Sequence, residues 1–228
     1  MKVARLFGVA LIAIVALSAM LASTASAIPK FKLPITKRGF VGLSGTAVLR
    51  TPAEEDTVTC SSAQSPGTIL SDDEVDIRIH YLGCSLKQGT KGPCTIKNPG
   101  GTAGLLLTEL LLGLLGLLHS PEGAAGILFE PKGAPNHVFL TFAGTEAPCT
   151  TPETAVEGSV AGLFSPTGKL SSTALIIVAP TSATGKQEVQ LILTLFGVVI
   201  PKLTSFGAAA STQEQHALVE FEEKVEVD

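Results

Sequence analysis

Four cysteines are the residues of this chain whose type and number predict chemistry most directly. They are Cys60, Cys84, Cys94 and Cys149, and an even number of cysteines in an exported chain favours disulfide bonds because the compartment is oxidising. Four cysteines allow three pairings. We favour Cys60–Cys84 with Cys94–Cys149, because Cys60 and Cys84 both end strand-like runs. Zinc is the competing interpretation, but the chain has no CxxC motif, and His80 with Cys84 is its only close Cys/His pair.

Nucleophilic catalysis requires a hydroxyl or thiol beside a base, and the sequence contains no motif of this kind. The pattern Gly42-Leu43-Ser44-Gly45 resembles a GxSxG elbow, but its second glycine lies one place early. The chain has four histidines, none of them in an HExxH motif or beside a characteristic Ser or Cys motif: His80, His119, His137 and His216. We interpret these histidines as surface residues and predict no catalytic residue.

Two charged segments could bind an ion, and each has a simpler interpretation. Residues 71–76 contain four carboxylates that could bind calcium with help from the backbone, but they lack the spacing and the glycine of an EF-hand, which favours a solvated hairpin. The segment Gly185-Lys186-Gln187 lacks the upstream glycine and the hydroxyl of a phosphate loop, which favours a hairpin turn. We predict no metal site and no cofactor.

The composition restricts the class of protein. Of the 228 residues, 45% are hydrophobic, 16% are charged and 5% are aromatic, with no Trp and one Tyr, and a chain of this length can bury a substantial core. Removal of the segment that contains Lys2 and Arg5, argued next, leaves 14 of the 16 basic residues against 20 acidic ones. This balance excludes a sequence-independent nucleic-acid binder, which needs clustered cations. The shortage of aromatic rings argues against a stacking platform for single strands.

Residues 1–27 are typical of a secretory signal peptide. Lys2 and Arg5 form a short basic start, residues 6–22 are almost entirely apolar, and Ala25-Ser26-Ala27 supplies the small-x-small pattern before a cut at Ile28. An uncleaved membrane anchor is the alternative, because the apolar stretch approaches the length that spans a bilayer. The cleavage pattern and the polar stretch after it favour removal. We therefore expect a secreted or cell-surface protein with no stable membrane anchor after cleavage.

Alternation of apolar and polar residues dominates the rest of the chain. In residues 75–81 the apolar positions alternate with Asp76, Arg78 and His80, which is the pattern of a half-buried strand. Further strand candidates are residues 40–49, 56–61, 67–70, 138–142, 156–164, 173–178, 189–195 and 219–227. Many short runs between Gly and Pro turns predict an all-β fold, an antiparallel sandwich or barrel with room for one short buried helix. We expect an extended segment over residues 28–39 and a single β-rich domain over residues 40–228.

Two segments leave alternatives open. Residues 102–118 contain ten leucines, which favour a helix, but Gly104, Gly113 and Gly116 interrupt them and the segment is apolar on every side. It is either a buried helix or two buried strands joined near Thr108-Glu109. Residues 208–215 are the one remaining place for a short helix or loop.

Several short motifs extend over most of the mature chain. They include Val58-Thr59-Cys60-Ser61-Ser62, Tyr81-Leu82-Gly83-Cys84, Gly92-Pro93-Cys94-Thr95, Gly113-Leu114-Leu115-Gly116 and Val156-Glu157-Gly158-Ser159-Val160. In these motifs the chain resembles a family of uncharacterised secreted bacterial proteins with four cysteines and a β-rich fold. The resemblance implies export, two disulfides and, over residues 103–118, a strand, a turn and a strand. It implies no activity.

The sequence therefore predicts an exported, non-enzymatic β-rich domain that binds something at the cell surface or outside the cell, or serves structurally. The alternative is an extracellular hydrolase whose site is assembled from scattered loop residues. Neither interpretation requires a cofactor or a nucleic acid.

Overall fold

The fold comes from a computed structural model, which describes residues 27–32, 38–51, 55–119, 123–133, 138–144, 151–178, 191–206 and 209–228. Every regular element in these ranges is a β-strand, so the all-β prediction is confirmed. The leader predicted over residues 1–27 lies outside the described residues apart from Ala27.

The described residues form twenty strands, numbered in chain order. They are β1 (Phe31–Lys32), β2 (Arg38–Ser44), β3 (Ala47–Thr51), β4 (Asp56–Cys60), β5 (Ser62–Ile69), β6 (Glu74–Ile77), β7 (His80–Leu82), β8 (Ser85–Gln88), β9 (Cys94–Lys97), β10 (Leu105–Leu107), β11 (Leu111–Leu118), β12 (Ala125–Pro131), β13 (Val138–Gly144), β14 (Thr154–Gly158), β15 (Val160–Ser165), β16 (Ser171–Val178), β17 (Ile192–Thr194), β18 (Gly197–Val199), β19 (Leu203–Ser205) and β20 (Ala209–Val227).

Eight of these strands close into an antiparallel barrel, here called the first ring. Its strands pair in the order β2, β20, β16, β15, β12, β11, β6 and β5, and β5 pairs with β2 again. Of the sandwich and the barrel that the alternation allowed, the structure is therefore the barrel. Closure leaves none of the eight strands with an unpaired edge along the ring.

Seven further strands and the start of β20 form a second ring of pairings beyond the first. The order is β3, β4, β8, β9, β13, β14, β19 and β20, and β20 pairs with β3 again. The start of β20 belongs to this second ring, since Thr212–Glu214 pair with β3, and its middle belongs to the first, where Ala217 pairs with Ser44. The 19-residue strand β20 thus joins the two rings.

The interior of each ring is filled by the inward half of the alternating positions. In the first ring Phe40 packs edge-on against Phe221, and Phe31 of β1 packs edge-on against Phe164 at the end away from the second ring. In the second ring the largest fully buried side chains include Leu86, Ile96, Phe139 and Phe142. Burial of each such side chain contributes roughly 1.5–3 kcal/mol.

Two predicted strands each divide where the chain passes between the rings. Residues 40–49 form β2 of the first ring and β3 of the second, separated at Gly45, and residues 156–164 form parts of β14 and β15, separated at Ser159. Each run was predicted as a single strand, so the sequence pattern does not reveal the division.

The alternating run at residues 75–81 is also two strands, β6 and β7. Its inward side chains are buried as the pattern predicts, and both strands keep one register against β5. The ladder is interrupted where the Arg78 N–H donates to the Pro66 carbonyl at 3.2 Å, because proline has no N–H to return the bond.

The leucine-rich segment is two strands, β10 and β11, as expected from the strand, turn and strand alternative. The strand β11 is apolar on both faces because both are covered. Leu111 and Leu115 belong to the main core, whereas Leu114 and Leu118 pack outside the barrel with Ile192 of β17. A helix is not needed to bury leucines on every side.

The expectation of a short helix or loop over residues 208–215 is wrong. From Ala209 onward this stretch is the start of β20, and Ala208 lies outside the described residues. Its inward positions carry polar side chains, among them Ser211, Gln213 and Gln215, each at most 7% exposed. Period-2 alternation of apolar residues therefore does not mark the strand.

Candidate functional site

A cleft opens at the end of the second ring that lies away from the first. At this end β3, β8 and β19 finish while β4 and β14 begin. The cleft has a volume of about 490 Å³ and is lined by ten residues, among them Asp56, Gln88, Glu153, Glu157 and Phe206. The mouth of a barrel is a common place for a ligand site because the strands fix it from several sides.

The described residues that line the cleft include three carboxylates and no basic side chain. Glu153 and Glu157 are exposed, whereas Asp56 is only 7% exposed. Within the described residues Asp56 makes no side-chain hydrogen bond or ion pair. Burial of a carboxylate without a partner is costly, so Asp56 is the group of the cleft that lacks a polar partner among the described residues.

The β-ladders hold Asp56 at a fixed position. Asp56 is opposite Thr51 on β3 and opposite Gln88 on β8. The hydroxyl of Thr151 donates to Gln88 Oε1 at 2.8 Å, which orients this amide beside the carboxylate. The hydroxyl of Thr154 donates to the carbonyl of Pro152 at 3.0 Å and fixes the turn that carries Glu153.

Phe206 supplies an aromatic wall. Its φ of +48° places it in the left-handed region, which costs a residue other than glycine about 1–3 kcal/mol. The ring packs edge-on against Phe142 of the buried interior, with the centroids 5.6 Å apart. This packing holds the wall in place despite the backbone strain.

A triangle of hydroxyls lies at the same end of the second ring. The side chains of Thr51, Ser205 and Ser211 are mutually hydrogen-bonded at 2.6–3.0 Å, and all three residues are buried. The triangle joins the ends of β3, β19 and β20 and gives the cleft a rigid support.

A second buried polar group lies between the two rings. Gln213 Nε2 donates to Tyr81 Oη and to Gln215 Oε1, the Tyr81 hydroxyl donates to Gln215 Oε1, and Gln215 Nε2 donates to Ser44 Oγ, over 2.8–3.2 Å. Burial raises the pKa of Tyr81, and the hydrogen bond from Gln213 acts in the opposite direction. We call these four side chains the waist network. These hydrogen bonds link the four side chains to one another, which favours a structural role.

The structure contains the first of the two expected disulfides, between Cys60 and Cys84. Both residues are buried, at the end of β4 and directly after β7. Cys94 is also disulfide-bonded. Its expected partner Cys149 lies outside the described residues, so the Cys94–Cys149 pairing stays a prediction.

The other residues with candidate chemistry are not assembled into one site. His80 is half-buried on β7, His119 and His216 are exposed, and His137 lies outside the described residues, as does the Gly185-Lys186-Gln187 segment.

The acidic residues 71–76 are distributed over separate contacts. Lys30 Nζ lies 2.6 Å from Asp72, Ser71 Oγ donates to Asp73, and Lys132 Nζ lies 2.7 Å from Asp76. The hydrogen bond from Lys30 lowers the pKa of Asp72. In the described ranges no three His, Cys, Asp or Glu side chains are grouped as metal ligands.

Sequence reasoning missed the carboxylates of the cleft. Asp56 and Glu157 are about a hundred positions apart in the chain, and each lies in an ordinary alternating run. The one local signal is the acidic residue at the start of β4, where the alternation places Asp56 on the same face as the buried Val58.

The fold and the cleft define a class: an all-β protein with a closed antiparallel eight-stranded barrel, a buried disulfide and an acidic cleft at one end. Comparisons with known proteins find no matching family model, no matching curated protein and no matching solved structure. None of the described residues belongs to a helix that is apolar and long enough to cross a bilayer.

Proposed function

We propose that the protein is exported and acts outside the cytoplasm as a non-enzymatic binding protein, with the cleft beside Asp56 as its ligand site. The single observation that carries this proposal is Asp56, a buried carboxylate that faces no cation within the described residues. A ligand that supplies the missing positive charge gains from a site that is already desolvated.

The basic start, apolar stretch and small-x-small pattern of residues 1–27 support export. The Cys60–Cys84 disulfide is compatible with an oxidising compartment. N-terminal sequencing of the protein recovered from the culture medium tests this half of the proposal. We expect the mature chain to begin at Ile28.

The chemistry of the cleft favours an organic cation. Its carboxylates are spread along the cleft and are not grouped around one point, so they suit an extended ligand with an ammonium or guanidinium group better than a single metal ion. Gln88 and Thr204 offer additional polar contacts, and the Phe206 ring offers a face for a cation–π contact. A free polyamine and a lysine or arginine side chain of a peptide both carry this chemistry.

Calorimetric titration of the mature, oxidised protein tests the ligand class. The probes are spermidine, L-arginine and a short Lys/Arg-rich peptide, with succinate as the anionic control. Asp56→Asn keeps the shape of the side chain and removes its charge, so we expect about 10- to 100-fold weaker binding of whichever cation binds. Glu220→Gln, an exposed position outside the cleft, is the matched control and should leave affinity unchanged.

The thermal stability of the same variant gives an independent readout. Without ligand, Asp56→Asn should unfold at a higher temperature than the wild type, because it removes a buried charge without a partner. Failure of all three cations to bind the wild-type protein would remove the ligand proposal. Hydrolysis of a generic ester, peptide or glycoside substrate that is lost in Asp56→Asn would instead support the extracellular hydrolase.

A further inference from the structure

The hairpin of β17 and β18 lies on the outside of the first ring. Its strand β17 pairs with the end of β11, and β18 pairs with β17. Ile192 and Thr194 face the barrel and are buried, whereas the opposite face of the hairpin is turned away from it. The hairpin therefore extends the barrel wall sideways and ends in β18.

The outward side of the hairpin is strongly apolar. Phe196 is 72% exposed, Ile200 is 67% exposed and Val198 is 61% exposed, with Leu195 beside them at 49%. Residues 191–201 contain no charged side chain. A group of exposed apolar side chains with no charged side chain among them is typical of an interaction surface.

The backbone of β18 has peptide groups that point away from the barrel. Leu193 and Val198 are opposite each other, one pair beyond the Thr194 and Gly197 pair that closes the two-residue turn. Peptide groups on successive residues of a strand point to opposite sides. The carbonyl of Leu191 accepts a bond from His119 of the β11 side, so the peptide groups of Leu193 also point toward β11. Those of Val198 consequently point away from the barrel, where no described residue pairs with them.

On β10, by contrast, a side chain covers the backbone on the side away from its partner strand. The strand β10 pairs with β7, and on its other side the amide of Asn98 binds both peptide groups of Leu107, accepting from its N–H at 2.6 Å and donating to its carbonyl at 3.1 Å. No equivalent side chain covers Val198 in the part of the chain that the structure describes. Among the described residues the edge of β18 is thus open to another strand.

We propose that β18 pairs with β18 of a second copy of this chain, antiparallel, to form a twofold dimer. An apolar lipid surface cannot accept the peptide groups of Val198, whereas a strand can. In the symmetric register each Val198 exchanges both peptide hydrogen bonds with Val198 of the other copy. The same register places Phe196 of one copy beside Ile200 of the other.

The symmetry also explains why the association stops at two copies. The β18 edge is self-complementary, and an isologous contact between two copies uses it completely. Pro201 has no N–H and ends the ladder directly after Ile200. The two most exposed apolar side chains of the hairpin become covered in the process.

Sedimentation equilibrium of the mature, oxidised protein tests this proposal. We expect a dimer at about 50 µM and concentration-dependent dissociation below that. Val198→Lys places a charge at the twofold axis and should weaken the dimer at least about tenfold. Val198→Pro removes only the outward N–H, which an edge strand tolerates, and should have the same effect. Leu43→Lys, at an exposed apolar position on the outer face of β2, is the matched control and should leave the dimer intact.

Several outcomes would overturn the proposal. These are a wild-type monomer at all concentrations, a dimer that survives both Val198 substitutions, assemblies larger than two copies, and equal weakening by Leu43→Lys. Flotation with neutral phosphatidylcholine vesicles distinguishes the lipid alternative. Vesicle binding by a monomer, lost in Val198→Lys, would assign the hairpin to membranes instead.

Discussion

The side-chain amide of Gln213 donates a hydrogen bond of 2.8 Å to the hydroxyl of Tyr81 at the level where the two rings meet. Gln213 lies on β20, which joins the rings, and Tyr81 lies on β7, which pairs with the start of β5. Both residues are buried. The contact connects β20, which belongs to both rings, to β7, which belongs to neither ring. Substitutions in the waist network therefore test how far this connection stabilises the fold.

Stability should fall steeply in alkaline solution because of Tyr81. Its pKa is raised by burial, whereas a tyrosine in an unfolded chain ionises at about pH 10. Below that pH both states keep the proton and the contribution is fully present. Above it the unfolded state binds fewer protons than the folded state, so the free energy of unfolding decreases by up to about 1.4 kcal/mol per pH unit.

The measurement is unusually clean because Tyr81 is the only tyrosine and the chain has no tryptophan. Tyrosinate absorbance should stay low above pH 10 and rise only together with loss of the far-ultraviolet circular dichroism of the sheet. A gradual rise near pH 10 in a protein that is still folded would contradict the prediction.

Removal of the Tyr81 hydroxyl should destabilise the protein. In Tyr81→Phe, Gln213 and Gln215 lose a buried partner, which costs about 1–3 kcal/mol. The free energy of unfolding is measured by urea titration with circular dichroism, since the variant has no tyrosine signal. Glu214→Gln, on the exposed side of β20 between the two glutamines, is the control. It affects only an exposed ion pair with Arg50, so we expect a change of a few tenths of a kcal/mol.

Loss of the Cys60–Cys84 disulfide should lower the free energy of unfolding more than any surface substitution does. The bond links residues 24 positions apart, for which restriction of the unfolded chain is worth about 3.5 kcal/mol. We expect a loss of this order for the double substitution to alanine, measured by urea unfolding under oxidising conditions. Ser62→Ala, which leaves the disulfide intact, is the control. A loss below about 1 kcal/mol would show that the chain-entropy argument does not apply here.

The crossing from β14 to β15 should tolerate no side chain at Gly158. This glycine has a φ of +108°, and a Cβ there would collide with the carbonyl oxygen of Lys202, which also accepts a hydrogen bond of 2.8 Å from the Ser159 N–H. Gly158→Ala should therefore lose several kcal/mol. Gly168→Ala is also at a positive φ (+70°), but with open space around the Cβ, and should lose only about 1 kcal/mol. Equal losses in thermal unfolding would refute the role of the collision.

The alternation of short apolar runs predicted the fold class, and the physical reason is local. A strand that faces an interior on one side alternates with period two, and residues 75–81 do so whichever strands lie beside them. The cysteine count and the strand ends at Cys60 and Cys84 likewise predicted a disulfide between these residues.

The beginning of β20 shows where local patterning fails. Its inward positions are Ser211, Gln213 and Gln215, which look like a loop in the sequence. They are stable inside because distant residues satisfy their hydrogen bonds: Thr51 and Ser205 in one case, Tyr81 and Ser44 in the other. Only the tertiary structure brings these partners together.

What the sequence determined by itself is the class of structure, because the hydrophobic period is a property of neighbouring residues. Export stays a prediction from the composition of residues 1–27. What only the tertiary structure decided is the closure of the barrel, the division of alternating runs between two rings, and the cleft. Each depends on pairings between residues far apart in the chain, such as Gly42 with Val219 or Asp56 with Gln88. No short-range pattern specifies such pairings, since they depend on the packing of the whole sheet.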